Sequence, residues 1–379
     1  DDNSRNMPGK ADCVKSIAGE RSQKRILTDY LSTLYQKLVS ENPGMKLSFT
    51  SFCRIRPKHV LLMSFITRDT CLCTKHQNMS LTLKAVKSQG INTSVNGEQM
   101  LDNKQDLLED IKNKVTSDLI VVGQWKRVPI ELKGRKKMAM KIIDTKMTKH
   151  EFFADVEEFS EHVSRIKTQY QEMKRLKENI PSDHCIVHMD FAENYSCKTV
   201  QEIQTTYWNQ TCVTLHLIVI YYNKTRFEEL LHKSIIVVSD EMSHNAATVL
   251  TIIDQLIPEV KLLNQDTTCI HYWTDSPTSQ YRNKIIFNTI ANHEILFGVK
   301  AKWNFWEAGH GKGPCDGLGG TCKRMADEAV KTGKVAIQDP SDFYAWTQSP
   351  HCNMRNVKFS FVSTETCQEK VREIKKNSH

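Results

Sequence analysis

The sequence predicts an α/β fold, a mixed sheet with helices on its faces, preceded by a mainly helical N-terminal region. Three observations lead there. From residue 184 to 240, HCIVHMDF, TVQEIQTTYW, TCVTLHLIVIYYN and KSIIVVSD are successive runs rich in β-branched and aromatic residues, the pattern of antiparallel strands. From 244 to 330 helical and strand patterns alternate instead. Between them and the N-terminus, Phe152, Val156, Phe159, Val163, Ile166, Tyr170 and Met173 recur in steps of four and three, one long amphipathic helix.

Taken in order, residues 1–87 read as a helical module, with Ile26, Tyr30, Leu34 and Leu38 on one face. Residues 88–182 read as a polar linker, with the cationic run KGRKKMAMK at 133–141, followed by the long helix. That helix packs against its own protein or dimerises as a coiled coil, the route to a homodimer. Pro181 ends it. Within 183–335, the strand HCIVHMDF opens the α/β domain. A helix over 244–257, the strand CIHYWTD, a helix over SQYRNKIIFNTIANHEI, the strand VKAKWNFWEA and a helix over GLGGTCKRMADEAVK complete it. Residues 336–379 read as a C-terminal extension.

A chain of 379 residues with 39% hydrophobic content can bury a real core. Its apolar runs fall well short of the ~20 residues needed to cross a bilayer, so no membrane partner is expected. Twelve cysteines scattered over so long a chain read as reduced thiols rather than as a disulfide framework. The net charge of +8 is unevenly distributed: residues 183–330 hold 12 Lys and Arg against 17 Asp and Glu. An acidic centre between basic arms suits an enzyme that holds metal with carboxylates and a polyanion with cations, although solubilising charge explains the arms equally well.

The informative acids stand at the ends of apolar strands. Asp190 ends HCIVHMDF, Asp275 ends CIHYWTD, and Asp316 opens the last helix. If the two strands are neighbours, Asp190 and Asp275 leave the sheet at one edge and Asp316 descends on them. Like charges so close raise one another's pKa unless cations neutralise them. Two Mg²⁺ or Mn²⁺ ions, hard cations that prefer oxygen, are the expected cofactors, and they suit phosphodiester cleavage. Glu307 and Asp240 compete with Asp316 for the third position, since an Asp at a helix start is also a routine cap.

The motifs MDFAENY, YWTDSPTSQYRN and EAGHGKGPCDGLGGTCKR resemble the ribonuclease H-like catalytic domain of DDE/D transposases and integrases. They are most similar to transposon-derived proteins of invertebrates. The likeness covers residues 184–330, and SRNMPGK, FCRIRPKHV and CLCTKHQN extend it weakly toward the N-terminus. It implies that Asp190, Asp275 and Asp316 form the catalytic, metal-binding triad of a DNA-cleaving and strand-joining enzyme acting in the nucleus. An inactive DNA-binding descendant and a nuclease acting on RNA are the other readings. His310 and Lys312 in GHGKGPCDG, with Gln280 and Arg282 after the second acid, are candidate nucleic-acid contacts; Glu193 and Asn194 are candidate supports for Asp190.

A separate metal signal lies upstream. Cys71, Cys73 and His76 form C-x-C-x2-H, with Cys53 eighteen residues before it, ligand types that suit zinc. The absence of cysteine from 77 to 184 argues against an ordinary zinc finger, and free thiols are the alternative.

Overall fold

A computed structural model of the chain describes residues 4–6, 13–15, 21–27, 31, 34–35, 38–39, 42, 47–57, 59–61, 73–132, 135–200, 211–223, 229–311 and 313–376. They fall into two units, Asp1–Cys71 and Leu72–His379.

The first unit contains β1 (Ser4–Asn6), β2 (Cys13–Lys15), β3 (Arg21–Gln23), β4 (Arg25–Leu27), α1 (Phe49–Ile55) and β5 (Val60–Leu61). β4 lies between β1, antiparallel, and β5, parallel, while β2 and β3 pair with each other. The expected helical module is therefore partly a set of short strands. Ile26, the first residue of the expected apolar stripe, sits in β4; Leu34 and Leu38 are helical, and Tyr30 lies outside the described residues. Three-residue strands such as SRN and RSQ carry no alternation to read, and SRN finds its partner beyond the whole β2–β3 pair, in β4.

The second unit begins with α2 (Thr74–Ser88), α3 (Gly97–Leu101), α4 (Lys104–Lys114), β6 (Leu119–Leu132), β7 (Arg135–Thr148) and α5 (Lys149–Glu178). The stretch expected to be a linker is thus two helices and a long antiparallel hairpin, registered from Leu119↔Thr148 to Leu132↔Arg135. Only its base alternates cleanly: Ile120, Val122 and Met147 enter a core with Leu83, Val86, Ile111, Phe152 and Val156. Further out, Lys126, Arg127, Lys137 and Lys141 are all exposed, so the pattern carried no inward face to read, and residues 135–141 of the cationic run lie in β7.

The long helix predicted over 152–173 is α5. It starts with a capping box in which Thr148 and Glu151 satisfy each other's backbone N–H groups. Its thirty residues span about 45 Å. Phe152, Val156, Phe159 and Val163 pack into the helical core, and Met173 packs with Ile186, Trp273 and Trp306 of the sheet domain. Most of the apolar stripe is thus packed within the chain, while Tyr170 stays exposed, which leaves little apolar surface for the dimerising coiled coil.

The sheet domain comprises β8 (His184–Phe191), β9 (Tyr195–Ser196), β10 (Cys212–Tyr222), β11 (Leu231–Ser239), α6 (Ala246–Leu263), β12 (Cys269–Thr274), α7 (Lys284–Ala291), α8 (His293–Phe297), β13 (Lys300–Phe305), α9 (Pro314–Lys331), α10 (Pro340–Thr347), β14 (Val357–Val362) and α11 (Thr364–Lys376). It is a mixed seven-stranded sheet flanked by helices, in the order β13-β12-β8-β10-β11-β14, with β9 paired to β10. β8, β10 and β11 are antiparallel; β12 runs parallel to β8, β13 to β12 and β14 to β11. On one face Val249, Ile252, Ile253 and Leu256 of α6 cover Val187, Met189, Ile218 and Ile220. On the other, Cys322, Ala326 and Val330 of α9, with Phe343 and Trp346 of α10, cover Leu215, Leu217 and Val219.

Three expectations change here. Residues 336–379 are not an extension beyond the α/β domain, because β14 is hydrogen-bonded along β11 and Cys367 of α11 enters the core. The helix expected over SQYRNKIIFNTIANHEI is two short ones: Asn283 caps α7 by accepting from the backbone of Ile285 and Ile286, and Asn292 separates α7 from α8. Of TVQEIQTTYW, Thr199 and Val200 are not in a strand, and the remainder lies outside the described residues.

Candidate metal centre

β8 and β12 are neighbouring parallel strands, and His188 is level with Trp273. Asp190 and Asp275 follow two residues later on each, so period-two alternation brings both carboxylates out on one face at the same end. Leu217 of β10, level with Asp190, packs beneath α9, which identifies that face as the α9 side. Asp316 lies in the first turn of α9.

The loop and helix that carry Asp316 approach the sheet closely because glycines permit it. A β-carbon on Gly313 would stand 2.6 Å from the His188 imidazole, and one on Gly319 would stand 2.7 Å from a methyl of Leu217. Cys315, between them, is buried and donates to the carbonyl of His188 at 3.4 Å. The three acids are near enough for their charges to act on one another. Burial, then Asp275 and Asp316, push the Asp190 carboxyl up to about 7. Asp275 is also raised, by burial and by Asp316, against a hydrogen bond from the backbone of Ser276.

Three features favour a hard cation among these acids. All the donors are carboxylate oxygens. Among the described residues none of the three acids forms an ion pair. Asp275 Oδ1 is buried without a hydrogen-bond partner, an orphaned acceptor at the meeting point. The donor set therefore fits Mg²⁺ or Mn²⁺. Asp316 also caps its own helix, accepting from Gly313 N at 2.8 Å.

The two rival acids are engaged elsewhere. Glu307 accepts from His162 Nδ1 at 2.8 Å and from Arg165 at 3.2 and 3.3 Å; although burial opposes it, these bonds hold its carboxyl below the usual range. Asp240 caps α11, accepting from Thr364 N at 2.7 Å and Thr364 Oγ1 at 3.0 Å.

Gln280 and Arg282 lie in the turn that follows Asp275, with Arg282 exposed. Lys312 lies outside the described residues. Glu193 is exposed, and its carbonyl accepts from Lys323; Asn194 bonds Thr214.

His310, expected to face nucleic acid, instead joins Cys73, His76 and His162, whose ligand atoms all lie within 4.8 Å of one another. Of the zinc ligands expected from sequence, Cys73 and His76 are in this group; Cys71 lies outside the described residues, and Cys53 belongs to α1 in the other unit. Sequence reasoning missed His162, a buried polar residue on the otherwise apolar stripe of α5, and that anomaly was the available signal.

Sequence reasoning also missed the polar groups packed around the acids. His188 is held down to about 4 by burial and by Lys177, against the pull of Asp316 and a hydrogen bond to the backbone of Gly311. Lys177 itself lies 3.8 Å from the centroid of the Tyr221 ring. Tyr281 is fully buried, shares a 2.9 Å hydrogen bond with His216, and is raised by burial and by the charges of Asp190 and Asp275.

Comparison with known proteins places the chain at the level of families. No curated protein and no solved structure matches it. Residues 1–64 match a domain of unknown function, DUF8699. Residues 169–379, which include all three acids, match the domain of unknown function DUF8701; as that is more than half of the chain, the protein belongs to the DUF8701 family.

Proposed function

We propose that the chain is a divalent-metal-dependent polynucleotidyl transferase that cleaves and joins DNA strands, built on a ribonuclease H-like fold of the DDE transposase type. The observation that carries the reading is the convergence of Asp190, Asp275 and Asp316 at one sheet edge, with the buried Oδ1 of Asp275 lacking a partner. The order β13-β12-β8-β10-β11, three antiparallel strands first and two parallel ones added beside β8, supports the ribonuclease H-like assignment.

Asp190 and Asp275 would hold the cations from the rigid strand ends, and Asp316 would complete the set from α9. Mg²⁺ or Mn²⁺, when bound, supplies charge that favours an attacking water or 3′-hydroxyl and stabilises the departing oxygen. The strand ends keep the carboxylates fixed, and α9 closes over one side of them. Arg282 and the hairpin supply cations for the phosphate backbone. Lys126, Arg127 and Lys141 are exposed beside Trp125, with Lys136 and Lys137 further along the hairpin, a mixture of cations and an aromatic suited to a polynucleotide. The nucleus is the compartment this substrate implies.

The test uses the purified full chain with labelled DNA carrying the sequences that flank its gene, in Mn²⁺ or Mg²⁺. Nicking or joining is expected, and Asp190→Asn and Asp275→Asn are expected to abolish it while leaving DNA binding intact. Activity that survives both substitutions overturns the assignment. Metal-dependent cleavage confined to RNA replaces the DNA reading, and binding without cleavage in the unsubstituted chain replaces it with the inactive descendant.

A further inference from the structure

We propose that Cys73, His76, His162 and His310 bind one Zn²⁺ ion, and that this ion fastens the segment ahead of α9 to α2 and α5. The site is distinct from the carboxylates in chemistry and in the residues that form it. One thiol and three imidazoles come from three separate parts of the chain: the N-cap and first turn of α2, the middle of α5, and the loop after β13. All three imidazoles are buried.

The spacing suits a tetrahedral ion. Cys73 Sγ lies 3.2 Å from His76 Nδ1 and 3.4 Å from His162 Nε2. A Zn–S bond near 2.3 Å and a Zn–N bond near 2.0–2.1 Å at a tetrahedral angle place sulfur and nitrogen about 3.5 Å apart. The outer nitrogens are already engaged: His76 Nε2 pairs with Glu98 at 3.2 Å, and His162 Nδ1 pairs with Glu307 at 2.8 Å. A carboxylate behind a histidine fixes its tautomer, so that the opposite nitrogen presents a lone pair, the arrangement that accompanies metal-bound imidazoles. A soft thiolate with imidazoles and no carboxylate in the set selects zinc over magnesium or manganese. Four protein ligands leave no open position, which marks a structural site rather than a catalytic one.

The surrounding contacts show what such an ion holds. Gln169 of α5 bonds both Phe305 O and Glu307 N, and Tyr170 donates to His310 O at 2.8 Å. Gly309, in the left-handed region at φ 78°, brings the loop against Cys73, where a β-carbon would stand 3.4 Å away. His310 is six residues before Asp316, so the ion anchors the arm that delivers the third acid. That last consequence rests on the proposed catalytic reading; the zinc site itself does not.

Metal content and X-ray absorption of the purified full chain, without nucleic acid, test the site. One zinc per chain is expected, with one sulfur and three nitrogens in its coordination shell. Cys73→Ser and His162→Ala should each strip most of it, whereas Cys53→Ser and Asp190→Asn should retain it in full. No zinc retained after incubation with Zn²⁺ and dialysis overturns the proposal, as does a shell with two or more sulfurs or with none. Loss of zinc in Asp190→Asn would assign the ion to the carboxylates instead. The absorption measurement needs no variant, so it decides the matter even if Cys73→Ser does not fold, and it reads nothing about DNA cleavage.

Discussion

Gly313 stands face to face with His188, so close that a single added carbon would lie 2.6 Å from the imidazole. Its backbone is extended, at φ −163°, so any residue could adopt the conformation and only space excludes a side chain. Because His188 is buried at the centre of the sheet, it has little room to retreat. Gly313→Ala is expected to cost about 1–3 kcal/mol of stability through overpacking. It should also displace the first turn of α9 and lower strand cleavage more than it lowers DNA binding. Thermal melts and cleavage assays on the same preparation check both effects.

Charge repulsion among the three acids makes opposite predictions with and without metal. In a metal-free buffer, Asp190→Asn removes one carboxylate from a crowded group and should raise stability, by about 1 kcal/mol. With Mn²⁺ at about a hundred times its dissociation constant, the unsubstituted chain should gain about 2.7 kcal/mol and the variant much less. Melting temperatures measured with chelator and with metal show the crossing. Parallel responses in the two proteins would mean that the acids hold no ion.

His216 sets a pH limit. It is fully buried, bonded to Tyr281, and held at about 3 by burial and by His244, against an ordinary value of 6.5. As pH falls below 6.5, the unfolded chain takes up this proton and the folded chain does not. The stability is therefore complete above pH 6.5 and declines between pH 6.5 and about 3. The slope from this residue is about 1.4 kcal/mol per pH unit. Denaturant midpoints of His216→Gln across that window should show a shallower decline than those of the unsubstituted chain.

The sequence pattern was legible where elements are buried. Strands β8, β10, β11 and β12 read as nearly continuous apolar runs because both of their faces are covered, and a run that ends in aspartate makes the strand tip plain. The meeting of Asp190 with Asp275 could be anticipated on the same basis, given neighbouring strands. The hairpin β6–β7 could not, because beyond its base both faces meet solvent and lysine occupies inward and outward positions alike. Nor could the gathering of His162 and His310 around Cys73, since it depends on how α5 crosses the loop after β13, a tertiary relationship with no local period. The C-terminal residues were misjudged for a related reason: VKFSFV is short, and the partner that makes it a strand is β11, more than a hundred residues earlier.

That last pairing governs how the protein behaves when shortened. β14 occupies the outer side of β11 over six residue pairs, from Ser234↔Val357 to Ser239↔Val362. A chain cut after Val335 would bare the hydrogen-bonding groups of an apolar strand along that whole length and leave them open to any strand from another molecule. Light scattering should show such a truncated protein assembling into large particles as its concentration rises. β14 thus moves the open edge of the sheet from the nine-residue, largely buried β11 to a strand of six residues.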